Sequence, residues 1–175
     1  MRSKVFFAVA VFIMAIYGCS MVQSIVKSSF PYTATLTIPV SADTTADQSV
    51  IATATSLDQS FSRSGNNARK VSGVHIVSAR LKASDPANFN IGNFTSIKIY
   101  VSKPDGNVEL PVASQTAIPT NAGGNIVLNI DNSHFLDELV REQNIKVRMV
   151  YRLRNGVSAP ASLKITLGLT AYPAK

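Results

Sequence analysis

The chain of 175 residues has no tryptophan, one cysteine, two histidines and only 15% charged residues. A lone Cys19 excludes a disulfide within the chain, so the fold must stand on its hydrophobic core, although small exported domains often use paired cysteines. His75 and His134 lie far apart in sequence, with no His, Cys or carboxylate at ligand spacing, so no metal is expected and both are read as structural. Without tryptophan, and with Tyr32, Tyr100, Tyr151 and Tyr172 spread over separate segments, the tyrosines are better used in packing than in a sugar-stacking surface. There is no Gly-x-Ser-x-Gly elbow, no phosphate-cradling glycine loop and no His-Glu-x-x-His pattern. Nothing marks a nucleophile with its base, so the chain is read as a non-enzyme without a cofactor, a hydrolase being the weakest of the readings carried forward.

What is present fits one domain plus a targeting segment. An apolar content of 46% is enough for a real core, and a lean toward Thr, Ser, Val, Ile, Asn and Ala with period-two alternation favours strands. The formal charge is +7; 17 basic residues less Arg2 and Lys4 leave 15 against 10 acidic, a net +5 for the body. No stripe of clustered Lys and Arg with interleaved aromatics accompanies that balance, which excludes nucleic acid as the expected partner.

The one long apolar run is at the start. Arg2 and Lys4 precede Val5 to Tyr17, which ends at Gly18 and Cys19. This is the order of a secretory signal: a basic region, an apolar region and a small residue at the cut. The tetrapeptide Ile16-Tyr17-Gly18-Cys19 resembles the lipobox of small bacterial lipoproteins. That resemblance implies cleavage after Gly18, a diacyl lipid on Cys19 and a bacterial cell envelope; Ser20, where retention signals carry Asp, implies the outer membrane. Residues 1–18 are then the signal peptide, 19–32 a lipidated tether and 33–175 the body. Two rivals are an uncleaved anchor, since Met21, Val22, Ile25 and Val26 extend the run to about twenty residues, and a buried helix, which leaves the basic start unexplained.

Along the body, Leu36, Ile38 and Val40 share one strand face, with Pro39 marking an edge. Ile51, Thr53, Thr55 and Leu57 suggest a second strand, Asp58 to Lys70 a polar loop, and Val74 to Leu81 a third strand. Asn88 to Asn93 reads as another loop, and both loops are candidates for partner binding by position. A hairpin follows around Lys103-Pro104-Asp105-Gly106, pairing Val101 with Val108, Ile99 with Leu110 and Ile97 with Val112. Ile126, Leu128 and Ile130 form a short strand. A short helix is expected near residues 133–142, capped by Asp131 or Ser133, with Phe135, Leu136, Leu139 and Val140 as its apolar stripe. In the last hairpin Ile145, Val147, Met149, Tyr151 and Leu153 face Leu163, Ile165, Leu167 and Leu169. A three-residue loop Arg154-Asn155-Gly156, with Gly156 left-handed in a bulge, keeps both apolar faces together.

Seven or eight strands with one short helix predict an all-β, two-sheet antiparallel sandwich of immunoglobulin-like type. In the last hairpin's register Lys146, Arg148 and Arg152 share a face with Lys164, which gives a candidate patch for an anion or an acidic partner. The functional expectation is a lipid-anchored, non-enzymatic envelope protein that engages a protein partner; the alternative is a module that binds a glycan or another polymer. The address is directly testable. Cys19→Ser should abolish fatty-acid labelling and release the body from membranes, whereas persistent attachment would favour the uncleaved anchor.

Overall fold

Alternating apolar residues give a strand one face that must be hidden, and the chain hides these faces between two antiparallel sheets. The computed structural model describes residues 28–55, 71–142 and 144–173, so the lipobox-like Ile16, Tyr17, Gly18 and Cys19 and the whole loop Asp58 to Lys70 lie outside the described residues. Among the described residues the strands are β1 (Ser28–Ile38), β2 (Gln48–Thr55), β3 (Val71–Asp85), β4 (Phe94–Ser102), β5 (Leu110–Thr116), β6 (Asn125–Val127), β7 (Asn129–Ile130), β8 (Asn144–Leu153) and β9 (Ala161–Pro173). One sheet runs β1-β9-β3-β6 and the other β2-β8-β4-β5-β7. The first strand starts at Ser28, inside the stretch expected to be tether, and takes the edge position that Pro39 suggested.

The all-β sandwich stands as expected. An immunoglobulin-like order does not follow from it, because β1 and β2 lie in different sheets whereas the first two strands of a constant-type immunoglobulin domain share one. Between the layers lie Leu36 and Ile38 of β1, Ile97 and Ile99 of β4, Val147 and Met149 of β8, and Leu163 and Ile165 of β9, all with no exposed surface. Each fully buried aliphatic side chain contributes about 1.5–3 kcal/mol relative to exposure. At one margin the buried Tyr32 hydroxyl of β1 donates to the Ala54 carbonyl of β2 at 3.0 Å, tying the two sheets together; burial pushes its pKa far above the ordinary phenol range.

The last two strands do not form a hairpin. β8 pairs with β2 and β4, whereas β9 pairs with β1 and β3, so Val147 lies beside Ala52 and Val101, and Leu163 beside Leu36 and Ala83. Two wholly apolar faces cover each other best from opposite layers; side by side in one sheet both would still need a lid. The crossing Arg154–Pro160 is fixed by a bridge between Val157 and Ser41 and by the Arg154 guanidinium, which donates to the Gly92 and Ile118 carbonyls at 2.6 Å each. Gly156 is not left-handed; among the described glycines positive φ is confined to Gly73, Gly106 and Gly123. Gly156 instead lies close against the backbone, where a Cβ would stand 3.2 Å from the Ser41 carbonyl oxygen.

Other expectations are shifted. In β2, whose inner face the alternation leaves open, the inward residues are Val50, Ala52 and Ala54, and Ile51 is 61% exposed. The turn at Lys103–Gly106 forms, with Gly106 N–H donating to Lys103 O, but Val101 faces Leu110, Ile99 faces Ala113 and Ile97 faces Gln115. The slip arises because Asn107 to Glu109 loop outward before β5 begins, and a bulge then restores the inward face at Val112. Ile126, Leu128 and Ile130 do not share one strand: β6 belongs to one sheet, β7 to the other, and the chain crosses at buried Leu128.

The helix near residues 133–142 is replaced by an irregular segment with one three-residue 3-10 turn, Leu139–Arg141. Its backbone is claimed from outside, since Leu136 N–H donates to Val74 O at 2.7 Å, which leaves no room for a continuous helical ladder.

The separation of β8 from β9 can be measured. Lys164 faces Lys82 across β9 and β3, whereas Lys146 faces Thr53 and Ser102 in the other sheet. A double-mutant cycle to alanine should show coupling of about 0.2–1 kcal/mol for Lys82 with Lys164, and none for Lys146 with Lys164. A hairpin would give the opposite result.

Candidate functional site

A concave region sits at the end of the sandwich where β1 and β3 begin and β9 ends. A cleft of about 680 Å³ is lined by Gly73, Val108, Leu110, His134, Phe135, Asp137, Glu138 and Leu139. Its walls come from two loops, 103–109 and 131–142, and its floor from the start of β3.

The first wall is shaped by the Pro104-Asp105-Gly106 turn. The Asp105 carboxylate accepts from the Asn107 backbone N–H at 2.9 Å and from its side-chain amide at 2.8 Å, and these bonds hold its pKa below the ordinary carboxylate range. The next residue, Val108, is forced to φ 55°, a left-handed conformation that costs a β-branched side chain about 1–3 kcal/mol. The strain turns Val108 outward, where it is 49% exposed.

The second wall hangs on a reciprocal clamp. Leu136 N–H donates to Val74 O at 2.7 Å, and Val74 N–H donates to Asp137 Oδ2 at 3.1 Å. With Leu136 anchored in the core on one side and Asp137 bonded on the other, Phe135 is left pointing to solvent, 70% exposed. Its ring meets His75 edge-on at 6.5 Å, and His75 in turn stacks on Tyr172 at 6.4 Å. His75 Nδ1 lies 2.9 Å from the Gly73 carbonyl, which only accepts, so that nitrogen carries the proton. Gly73, at φ 61°, lies between the rings; a Cβ there would sit 3.3 Å from Tyr172 and 3.9 Å from Phe135. The Lys103 ammonium, 3.1 Å from Glu138 and 4.0 Å from Glu142, joins the two walls.

The expected cationic patch is not one surface. Lys164 lies on the opposite sheet from Lys146, Arg148 and Arg152. Arg148 is bidentate to Glu109 and lies 4.6 Å over the Tyr100 ring, and Arg152 Nε donates to Asp47 at 2.8 Å. Its arginines are therefore already paired. The Asn88 to Asn93 loop is likewise occupied in structure: Asn90 accepts from Gly92 and Gly123 N–H and donates to Thr120 O. Tyr32 and Tyr151 are core, as expected, but Tyr172 is 43% exposed beside the cleft. No group of three metal-ligating side chains occurs among the described residues.

Sequence reading missed Phe135, Val108, Gly73 and Tyr172 as a group. Phe135 looked like one of four stripe residues of a helix, and only the clamp to Val74 separates it from Leu136. The strained Val108 had a faint signal in the Asp-Gly-Asn turn chemistry just before it.

Glu109 supplies a pH test of the ion pair at the cleft margin. The Arg148 hydrogen bond holds the Glu109 carboxyl below its ordinary range. A depressed folded pKa stabilises above the unfolded value, about 4.3, and that contribution is lost as pH falls through the folded value. Urea melts should show Glu109→Gln less stable than the parent at neutral pH, with the difference closing in acid; a constant difference would discount the pair.

No family model matches the sequence, and no curated protein matches it. Among solved structures the chain is similar to a protein from Eubacterium rectale, at TM-score 0.43 and 14% identity, covering 86% of this chain and 41% of that one. It is also similar to CBM32-3 from a family 31 glycoside hydrolase of Clostridium perfringens, at TM-score 0.33 and 14% identity over 79% of this chain and 74% of that one. A third is CBM32-5 from Clostridium perfringens in complex with GalNAc-β-1,3-galactose, at TM-score 0.34 and 12% identity over 76% and 94%. Likeness at this level carries no argument about what this chain does.

Proposed function

We propose that the chain is a non-enzymatic protein of the bacterial envelope, anchored by a lipid on Cys19, that binds a saccharide in the cleft at the end of its sandwich. The observation that carries the binding reading is Phe135, 70% exposed and held outward by the Val74 clamp, beside Asp137 and Glu138 in an open cleft. A sugar ring has an apolar C–H face and a rim of hydroxyls. The first suits Phe135 with Val108 and Leu139 around it; the second suits carboxylates and His134 at the same opening. Both carboxylates already have structural partners, Val74 N–H and Lys103, which suits fixed acceptors better than groups that must gain and lose protons. The Ile16-Tyr17-Gly18-Cys19 sequence supports the envelope address, and Ser20 supports the outer membrane.

A second reading, docking of an envelope protein, is favoured by the exposed Ile51 on the edge strand β2. The two separate by experiment. Glycan-array screening followed by titration calorimetry should find a saccharide ligand, and Phe135→Ala should weaken it by about two- to tenfold, the value of an aromatic contact of about 0.5–1.5 kcal/mol. Phe135→Ala should leave the melting temperature nearly unchanged because the ring is mostly in water. A stoichiometric crosslinked protein partner with no glycan ligand would replace the first reading by the second.

A further inference from the structure

The cleft opens at the end of the sandwich from which the N-terminal segment departs. Ser28 of β1 is paired with Ala171 of β9, and Ser72 of β3 with Tyr172, so β1 starts two strand spacings, about 10 Å, from the floor of the cleft. Cys19 precedes Ser28 by nine residues, which even fully extended reach no more than about 32 Å. A lipid on Cys19 therefore keeps this end near the bilayer, whereas the Arg154–Pro160 crossing lies a further strand length away, about 37 Å for the 11 residues of β1.

The surface at that end suits a membrane interface. Phe135 and Val108, 70% and 49% exposed, line the opening, and Tyr172, 43% exposed, lies beside it against Gly73. Aromatic and apolar side chains in that setting partition to the head-group region. The carboxylates Asp137 and Glu138 lie inside the cleft, where phosphate is disfavoured and hydroxyls are welcome. An apolar rim with hydroxyl acceptors within matches a lipid whose head group is a sugar.

Resting on the saccharide reading above, we infer that the ligand is the sugar head group of a glycolipid in the same bilayer that holds Cys19, taken with Phe135, Val108 and Tyr172 at the lipid interface. A wall polymer or a free sugar would have to reach the cleft from its membrane side.

The absence of tryptophan gives a clean reporter. The full lipidated chain carrying Phe135→Trp, or Asn155→Trp at the far crossing, is reconstituted in phosphatidylcholine vesicles. The vesicles either lack a glycolipid or contain galactosyl diacylglycerol, glucosyl diacylglycerol or a lipid-linked glucosamine disaccharide, and brominated phosphatidylcholine serves as quencher. The proposal expects a blue shift and quenching for Phe135→Trp that increase when one of these glycolipids is present, with no change for Asn155→Trp. Equal quenching with and without glycolipid means a plain lipid seat and overturns the assignment. Binding of the corresponding soluble sugar without a vesicle response overturns the membrane placement and leaves the saccharide reading intact. Silence toward both soluble sugars and glycolipid vesicles removes both.

Discussion

Everything in this fold depends on keeping the apolar faces of β8 and β9 covered. Each strand carries five or four large apolar residues in alternation, and there is no disulfide to hold layers together. By entering different sheets the two strands bury these faces against each other, and each forms the centre of a three-strand group: β1 and β3 flank β9, while β2 and β4 flank β8. The crossing between them must then be held without regular pairing, which is the role of Arg154 on two carbonyls and of the Val157–Ser41 bridge. Tyr32 reaching Ala54 performs the corresponding task at the margin where β1 and β2 meet.

The cleft is a consequence of the same closure. A sandwich with strands of unequal length leaves loops standing above one end, and here the 131–142 segment is drawn down onto β3 by two bonds at Val74. That attachment sends Leu136 into the core and Phe135 into water, one residue apart. Lys103 with Glu138 fixes the distance between the two walls, and the strained Val108 completes the apolar rim. Binding energy at such a site comes from surfaces that the fold itself prevents from collapsing inward.

Much of the secondary structure was legible because period-two alternation is a local property. The edge position of β1, the turn at Lys103–Gly106 and the inward faces of β8 and β9 all followed from residues within ten positions of one another. Register was less legible: Asn107 to Glu109 are as polar as a turn or a strand face, and only packing of Val112 against the core decides that they loop out. The inward face of β2 was not legible either, since Ile51 and Val50 are equally apolar and the choice rests on how the edge meets β8. Phe135 was assigned to a helix stripe for the same reason, because the competing partner, Val74, lies 61 residues away.

The sequence by itself determined an all-β sandwich without disulfides, a lipobox-like start and the absence of recognised catalytic motifs, since each is written in composition or in short contiguous patterns. Tertiary structure alone decided that β8 and β9 separate into two layers, that Lys164 parts from Lys146, and that Phe135, Gly73 and Tyr172 meet around a cleft. Those outcomes depend on which distant surfaces are available to cover an apolar face or to accept a backbone N–H, and no local pattern encodes that.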